Sequence, residues 1–339
     1  MSTLATLALI AAALAPHAEA ATSMPGPSEG HTRRDAADRN AACERCHSEI
    51  AAEWRGSLHR RAYTNASFAA ALRREPIGFC RGCHAPEADP ERAPPRALAR
   101  LGVGCVTCHS PGAGDGVLAA PRDDLSHETA PHPLRRDPRF AGAAACAGCH
   151  EFAFPGGREL MQSTVREHAA SDRAGDGCAS CHMPPVGADE RHRSHAFAAS
   201  REPAVLRRAV RVQAARGPTA IALALTPGAV GHAFPTGDLF RRLVVVAEVV
   251  GDDGRPVAAA TRFLARHFTL SRRETADDRV GAPALAGAAL PVAFDFGSPA
   301  VGRAIRWRVV YERVAFPRAS DAHAEVEASV VVADGTLGP

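Results

Sequence analysis

Cys43-Glu44-Arg45-Cys46-His47 opens a five-residue pattern that returns at Cys80–His84, Cys105–His109, Cys146–His150 and Cys178–His182; the five copies use all ten cysteines of the 339-residue chain. Cys-x-x-Cys-His is the attachment signature of c-type haem: the two thiols form thioethers with the vinyl groups, and the adjacent His takes one face of the iron. The pattern predicts five covalently attached haems, held by Cys43 and Cys46, Cys80 and Cys83, Cys105 and Cys108, Cys146 and Cys149, and Cys178 and Cys181. Their first iron ligands are then His47, His84, His109, His150 and His182. Zinc sites and disulfides also use paired cysteines, but neither requires a His directly after every second Cys.

Ahead of the first motif, Leu4 to Ala15 form an apolar run too short to span a bilayer, followed by the small-x-small pattern Ala18-Glu19-Ala20. Residues 1–20 read as a secretory signal peptide, although the first Arg is Arg33 and the usual basic n-region is missing. An uncleaved anchor is the alternative, and the shortness of the run argues against it. No later segment is apolar for the length a membrane span needs, so a soluble, exported, periplasmic protein is expected. Residues 21–42, rich in Pro, Gly, Ser and charge, read as a flexible lead-in.

Each iron has a second face. Outside the signal and the motifs ten His remain, and the best-placed five are His59, His132, His168, His195 and His232. His59 follows the first motif in Glu53-Trp54-Arg55-Gly56-Ser57-Leu58-His59, with a solvated surface role as its alternative. His132 is stiffened by flanking prolines, with His127 as competitor. His168 ends Met161 to His168, a stretch that reads as helical, and is either a ligand or an exposed helix residue. His195 precedes Ala196-Phe197 and suits a ligand better than His192, which lies between two Arg; Met183 suits core packing. Which His faces which haem stays open at this level.

Beyond residue 203 the texture changes, because cysteines vanish and alternation begins, most clearly in Ile305-Arg306-Trp307-Arg308-Val309-Val310-Tyr311. Strands are also expected at 205–214, 219–226, 243–250, 257–269, 290–296 and 324–332, with a turn at Asp252-Asp253-Gly254. The fold class is therefore α+β multidomain. A mostly α and irregular multihaem domain (43–203) precedes an all-β immunoglobulin-like sandwich (204–339). His232 lies in Gly231-His232-Ala233-Phe234-Pro235-Thr236-Gly237-Asp238, where an ordinary sandwich needs no His; it either reaches across the domain boundary to a haem or is a hydrogen-bonded turn residue.

The formal charge is +3, and every basic residue is Arg. Lys ligation of iron is thereby excluded, and the cations present are planar forks suited to carboxylates such as haem propionates. Each ferric haem adds about −1, which brings the loaded protein near neutrality and removes the case for nucleic acid as a partner. About 140 residues carry all five motifs, within a radius of gyration of about 14 Å, so the porphyrins should be close neighbours. They should also serve as the core, with Phe68, Phe79, Phe140, Phe152 and Phe154 as packing partners, and without them the domain should not fold. The short tether between the second and third motifs makes those two expected neighbours.

The chain resembles the cytochrome c-554-like multihaem cytochromes c. The resemblance is carried by Trp54 to His59, the fourth and fifth motifs with Met161 to Glu167 and Cys-His-Met-Pro, Arg193-Ser194-His195, and Gly231 to Asp238. It covers residues 43 to about 242; the rest of the sandwich matches in texture only. It implies an exported electron-transfer protein with mostly bis-His haems and redox partners in the periplasm or at the membrane, and it supports His59, His195 and His232 most directly. At His168 related sequences often carry another residue. The alternative is a multihaem oxidoreductase acting on a small nitrogen or sulfur compound at one haem with an open distal side; a third reading is a structural subunit that positions haems in a larger assembly.

Overall fold

The computed structural model describes residues 23–112, 116–121, 131–187, 192–197, 202–285, 287–315 and 322–339. The expected signal peptide and His127 lie outside them. The first half is built from short helices: α1 (Ala36–Cys46), α2 (Ser48–Gly56), α3 (Ala66–Arg74), α4 (Gly78–His84), α5 (Arg96–Leu101), α6 (Cys105–His109), α7 (Ala144–His150), α8 (Thr164–Ala169) and α9 (Cys178–His182). Between them run two-stranded ribbons: β1 (Val117–Ala119) with β2 (Leu134–Arg136), β3 (Glu151–Ala153) with β4 (Leu160–Ser163), and β5 (Pro185–Val186) with β6 (His192–Arg193). Among the described residues no helix is long and apolar enough to cross a membrane.

Every Cys-x-x-Cys-His motif ends a helix, with the His as its last residue or, for His47, its C-terminal cap. Positions i, i+3 and i+4 share one helix face, so both thiols and the imidazole emerge on the same side. That local geometry is what allows a five-residue pattern to grip a flat macrocycle.

The stretch expected as a flexible lead-in is ordered from residue 23 onward. Ser28 donates its amide to the Gly82 carbonyl at 2.8 Å, Arg33 pairs with the buried Glu87 at 2.9 Å, and α1 begins at Ala36. Charge and Pro content misled here because Arg33 has a buried partner. Two other boundaries shift. Residues 203–208 form α10 (Pro203–Arg208), with Pro at its first turn, instead of starting a strand. Met161 to Ser163 belong to β4, and helix begins only at Thr164.

The second half contains β7 (Val210–Arg216), β8 (Ala220–Pro227), β9 (Arg241–Val250), β10 (Pro256–Leu264), β11 (Arg266–Phe268), β12 (Glu274–Asp277), β13 (Leu290–Asp295), β14 (Ile305–Val314) and β15 (Val326–Leu337). The expected strand at 257–269 is thus two, broken at Ala265. One sheet has the order β13-β8-β7 and the other β10-β9-β14-β15, all antiparallel; β11 and β12 form a separate hairpin. Period-2 burial sends Ile305, Trp307, Val309 and Tyr311 of β14 inward against Ile221, Leu223 and Leu225 of β8, and Leu206 of α10 closes one end.

Candidate functional site

The two halves enclose a cavity of about 2590 Å³ lined by side chains from all five motifs. A single small-ligand pocket measures about 300–1,000 Å³. The excess fits several macrocycles, and the apolar residues expected as packing partners line it. Phe68 stacks on the His84 ring at 3.7 Å, Phe140 meets His109 edge-on at 5.3 Å, Phe79 meets Phe152 at 5.4 Å, and Phe154 meets Phe268 of the β11–β12 hairpin at 5.3 Å.

Four motif histidines face a second His across this cavity. Ring centres lie 6.3 Å apart for His47 and His132, 6.2 Å for His150 and His59, 6.3 Å for His109 and His195, and 6.3 Å for His182 and His232. With metal–nitrogen bonds of about 2.0 Å and about 1.1 Å from ring nitrogen to ring centre, two imidazoles on opposite sides of one metal stand about 6.2 Å apart. The observed separations therefore fit one iron between each pair and exceed the 3.7 Å of a direct ring stack such as Phe68 on His84.

The hydrogen bonds select the tautomer that this requires. His84, His109, His195 and His232 each direct Nδ1 at a backbone carbonyl: Ala62 at 2.7 Å, Leu118 at 2.8 Å, Arg193 at 2.7 Å and Ala233 at 2.9 Å. A carbonyl only accepts, so Nδ1 carries the proton and Nε2 is left free as a ligand. Burial also keeps these rings neutral. It drives His59 down to about 3 and His150 to about 4, and it lowers His84, His109, His195 and His232.

Two of the facing histidines, His59 and His195, are held through their backbones. Gly102, at φ +60°, ends α5 so close to the His59 carbonyl that a Cβ would meet that oxygen at 2.5 Å, and the next amide, Val103, donates to it at 2.9 Å. Trp54, buried beneath, donates to the Val103 carbonyl at 2.8 Å. Glu53 accepts the His195 amide at 2.7 Å while pairing with His192 at 3.1 Å, so His192 serves the loop and faces no motif His.

His168 is the exception among the five expected distal residues. Its Nδ1 meets the Gly231 carbonyl and its Nε2 the Asp176 carbonyl, both at 2.7 Å, which leaves no lone pair for iron. Although desolvation opposes it, these two carbonyls raise its pKa, opposite to the facing histidines. Consequently, among the described residues no second His faces His84. Its surroundings are instead electrostatic, with Asp238 favouring and Arg313 opposing its charged form. Asp238 itself lies 3.4 Å from Arg241 and 3.5 Å from Arg313.

The motifs interlock out of sequence order. Cys149 of the fourth and Cys83 of the second are electrostatic neighbours, as are Cys146 of the fourth and Cys178 of the fifth. The second motif's Cys83 thus has its thiol neighbour in the fourth motif.

Sequence reasoning missed the polar seam that fixes the His232 loop. Buried Glu167 accepts from Arg279 at 2.8 Å, Thr236 at 2.6 Å and Ser163 at 2.6 Å, and Arg279 also donates to the Pro235 carbonyl at 3.1 Å. Desolvation works against a charged Glu167, but Arg279 and these donors hold its pKa below the usual range. Nothing in the periodicity of either residue marks it as buried.

Residues 42–110 match the family model of cytochrome c554 and c-prime, a segment that holds the first three motifs. No curated protein matches the chain. Among solved structures, a penta-heme cytochrome c552 from Thermochromatium tepidum is similar at a TM-score of 0.67 and 19% identity, over 88% of this chain and 98% of that one. Motifs, cavity and the match over residues 42–110 together support a multihaem cytochrome c similar to the cytochrome c554 family, and the structural likeness shows the fold.

Proposed function

We propose that this chain is an exported, periplasmic electron-transfer protein carrying five c-type haems, four of them bis-His. The observation that carries the reading is the set of four facing His pairs, His47 with His132, His150 with His59, His109 with His195, and His182 with His232, at 6.2–6.3 Å. The ten motif cysteines supply the thioethers. The bound haems supply one-electron chemistry, and two His per iron leave it no free position, which favours outer-sphere transfer. Cys46 and Cys181, the exposed members of the set, mark the first and fifth motifs as the places where redox partner proteins reach the cofactors. Export is supported by the apolar run at Leu4 to Ala15. The two-sheet unit is read as immunoglobulin-like, since it has two antiparallel sheets, β13-β8-β7 and β10-β9-β14-β15, and the chain passes from one to the other between β8 and β9 and between β13 and β14.

One observation favours a second reading for one centre only. His84 has the packing and the Nδ1 anchor of a proximal ligand but no facing His among the described residues. An open distal side at that haem is where a small-molecule oxidoreductase activity would act.

Low-temperature electron paramagnetic resonance of the ferric holoprotein tests both readings. Four low-spin signals and one high-spin signal that shifts with nitrite are expected, and His232→Ala should add a second high-spin haem. Five low-spin signals would remove the open site, and a His232→Ala spectrum identical to the parent would remove cross-domain ligation.

A further inference from the structure

His168 has a partner on each side of one haem site. The Asp176 carbonyl that its Nε2 meets lies two residues before Cys178, the first attachment residue of the fifth motif. The Gly231 carbonyl that its Nδ1 meets directly precedes His232, which faces the His182 of that same motif. Both bonds are 2.7 Å, and since both acceptors are carbonyls both ring nitrogens donate. A side chain at 231 would have no room, because a Cβ there would meet Arg173 Cβ at 2.8 Å and His168 Nδ1 at 3.1 Å. The neighbouring Glu167 grips Thr236 further along the same loop. Two consecutive residues of α8 therefore hold one loop of the sheet domain at two points.

We infer that His168 is a positioning residue for the fifth haem site, a bridge that sets the distance and ring orientation between the attachment helix Cys178–His182 and the distal His232. This rests on the reading of His232 as an iron ligand. The His182 and His232 rings are 11° from parallel, the flattest alignment of the four pairs, whereas His150 and His59 stand at 72°. A bridge that fixes both partners' backbones accounts for that alignment. Parallel imidazole planes split the iron d orbitals more than perpendicular planes do, so the paramagnetic signal of this centre reports the orientation directly. A residue needed only for folding would leave that signal unchanged in any variant that matures.

His168→Phe keeps the ring but removes both donors, His168→Gln keeps two N–H donors on one nitrogen, and His168→Asn is too short to span the two carbonyls. In each, haem content, the low-spin signal of parallel type and the midpoint potential of that centre are measured. The Phe and Asn variants should lose or shift that one signal while the remaining low-spin signals stay, and Gln should restore it in part. A fully loaded Phe or Asn variant with the parent signal and potential overturns the inference; if Phe fails to mature, the milder Asn decides. His232→Ala serves as the control for the underlying reading. If it leaves all signals intact, the ligand assignment fails; if it creates a high-spin haem while His168→Asn changes nothing, only the bridge fails.

Discussion

The strands from Val210 to Leu337 and the helices from Ala36 to His182 face the same requirement, apolar burial, and meet it differently. The sheets close on themselves: Ile221, Leu225, Leu243, Val245, Val249 and Ile305 are wholly buried against one another. The helical half has a small cluster around Trp54, Leu98, Leu101 and Val106, and otherwise lines a cavity. One half carries its core in its own side chains. The other has a shape that only prosthetic groups can fill, since a void of that size forfeits the contacts that hold its walls.

The largest test of that contrast is to produce the chain without haem attachment and follow amide hydrogen exchange. Residues in α1 to α9 should exchange near unfolded rates while β8, β9 and β14 stay protected. Protected helices in the haem-free chain would show that the helical half has a sufficient core after all. A smaller effect separates the halves in the opposite sense. Leu225→Ala, in the centre of the sheet core, should cost about 2–5 kcal/mol by calorimetry or denaturant titration, with the haem spectra of the native protein unaltered. Loss of under about 1 kcal/mol would mean that the sheets lean on the haem half for stability.

The smallest effect lies in the sheet half alone. His267 bonds Asp278 at 2.9 Å, which raises the His pKa, and the same bond lowers that of Asp278 although desolvation works against it. The His contribution is full below its ordinary value of about 6.5 and is lost as pH rises through its raised value; the Asp contribution is full above about 3.9 and is lost as pH falls through its lowered value. The pair therefore stabilises most between those limits, by about 1 kcal/mol or less given its partial exposure. The stability difference between the parent and His267→Gln, from thermal melts, should be greatest near pH 6 and shrink as the solution becomes alkaline. A difference that does not change with pH would assign the bond no electrostatic weight.

Much of the architecture was legible where a local rule suffices. Attachment residues follow from a contiguous pattern on one helix face, and the strands from alternation such as Ile305 to Tyr311. The facing histidines were legible as candidates, because Pro, Gly and aromatic neighbours flag constrained His residues. Their pairing was not, since His59 sits beside the first motif in sequence yet faces His150 of the fourth. His168 carries the same residue type as the facing four and differs only in what its two nitrogens touch. The seam of Glu167 and Arg279 was invisible for the same reason: 112 positions separate the partners, and each alone reads as a surface charge.

The thiol contacts between motifs bear on how the molecule is made. Cys83 with Cys149, and Cys146 with Cys178, bring together sulfurs that belong to different motifs. In an oxidising compartment, native-like collapse of an unloaded chain would place these sulfurs where they can couple to each other, and each such bond would consume two attachment points at once. Thioether formation ahead of compaction would keep these sulfurs out of such bonds.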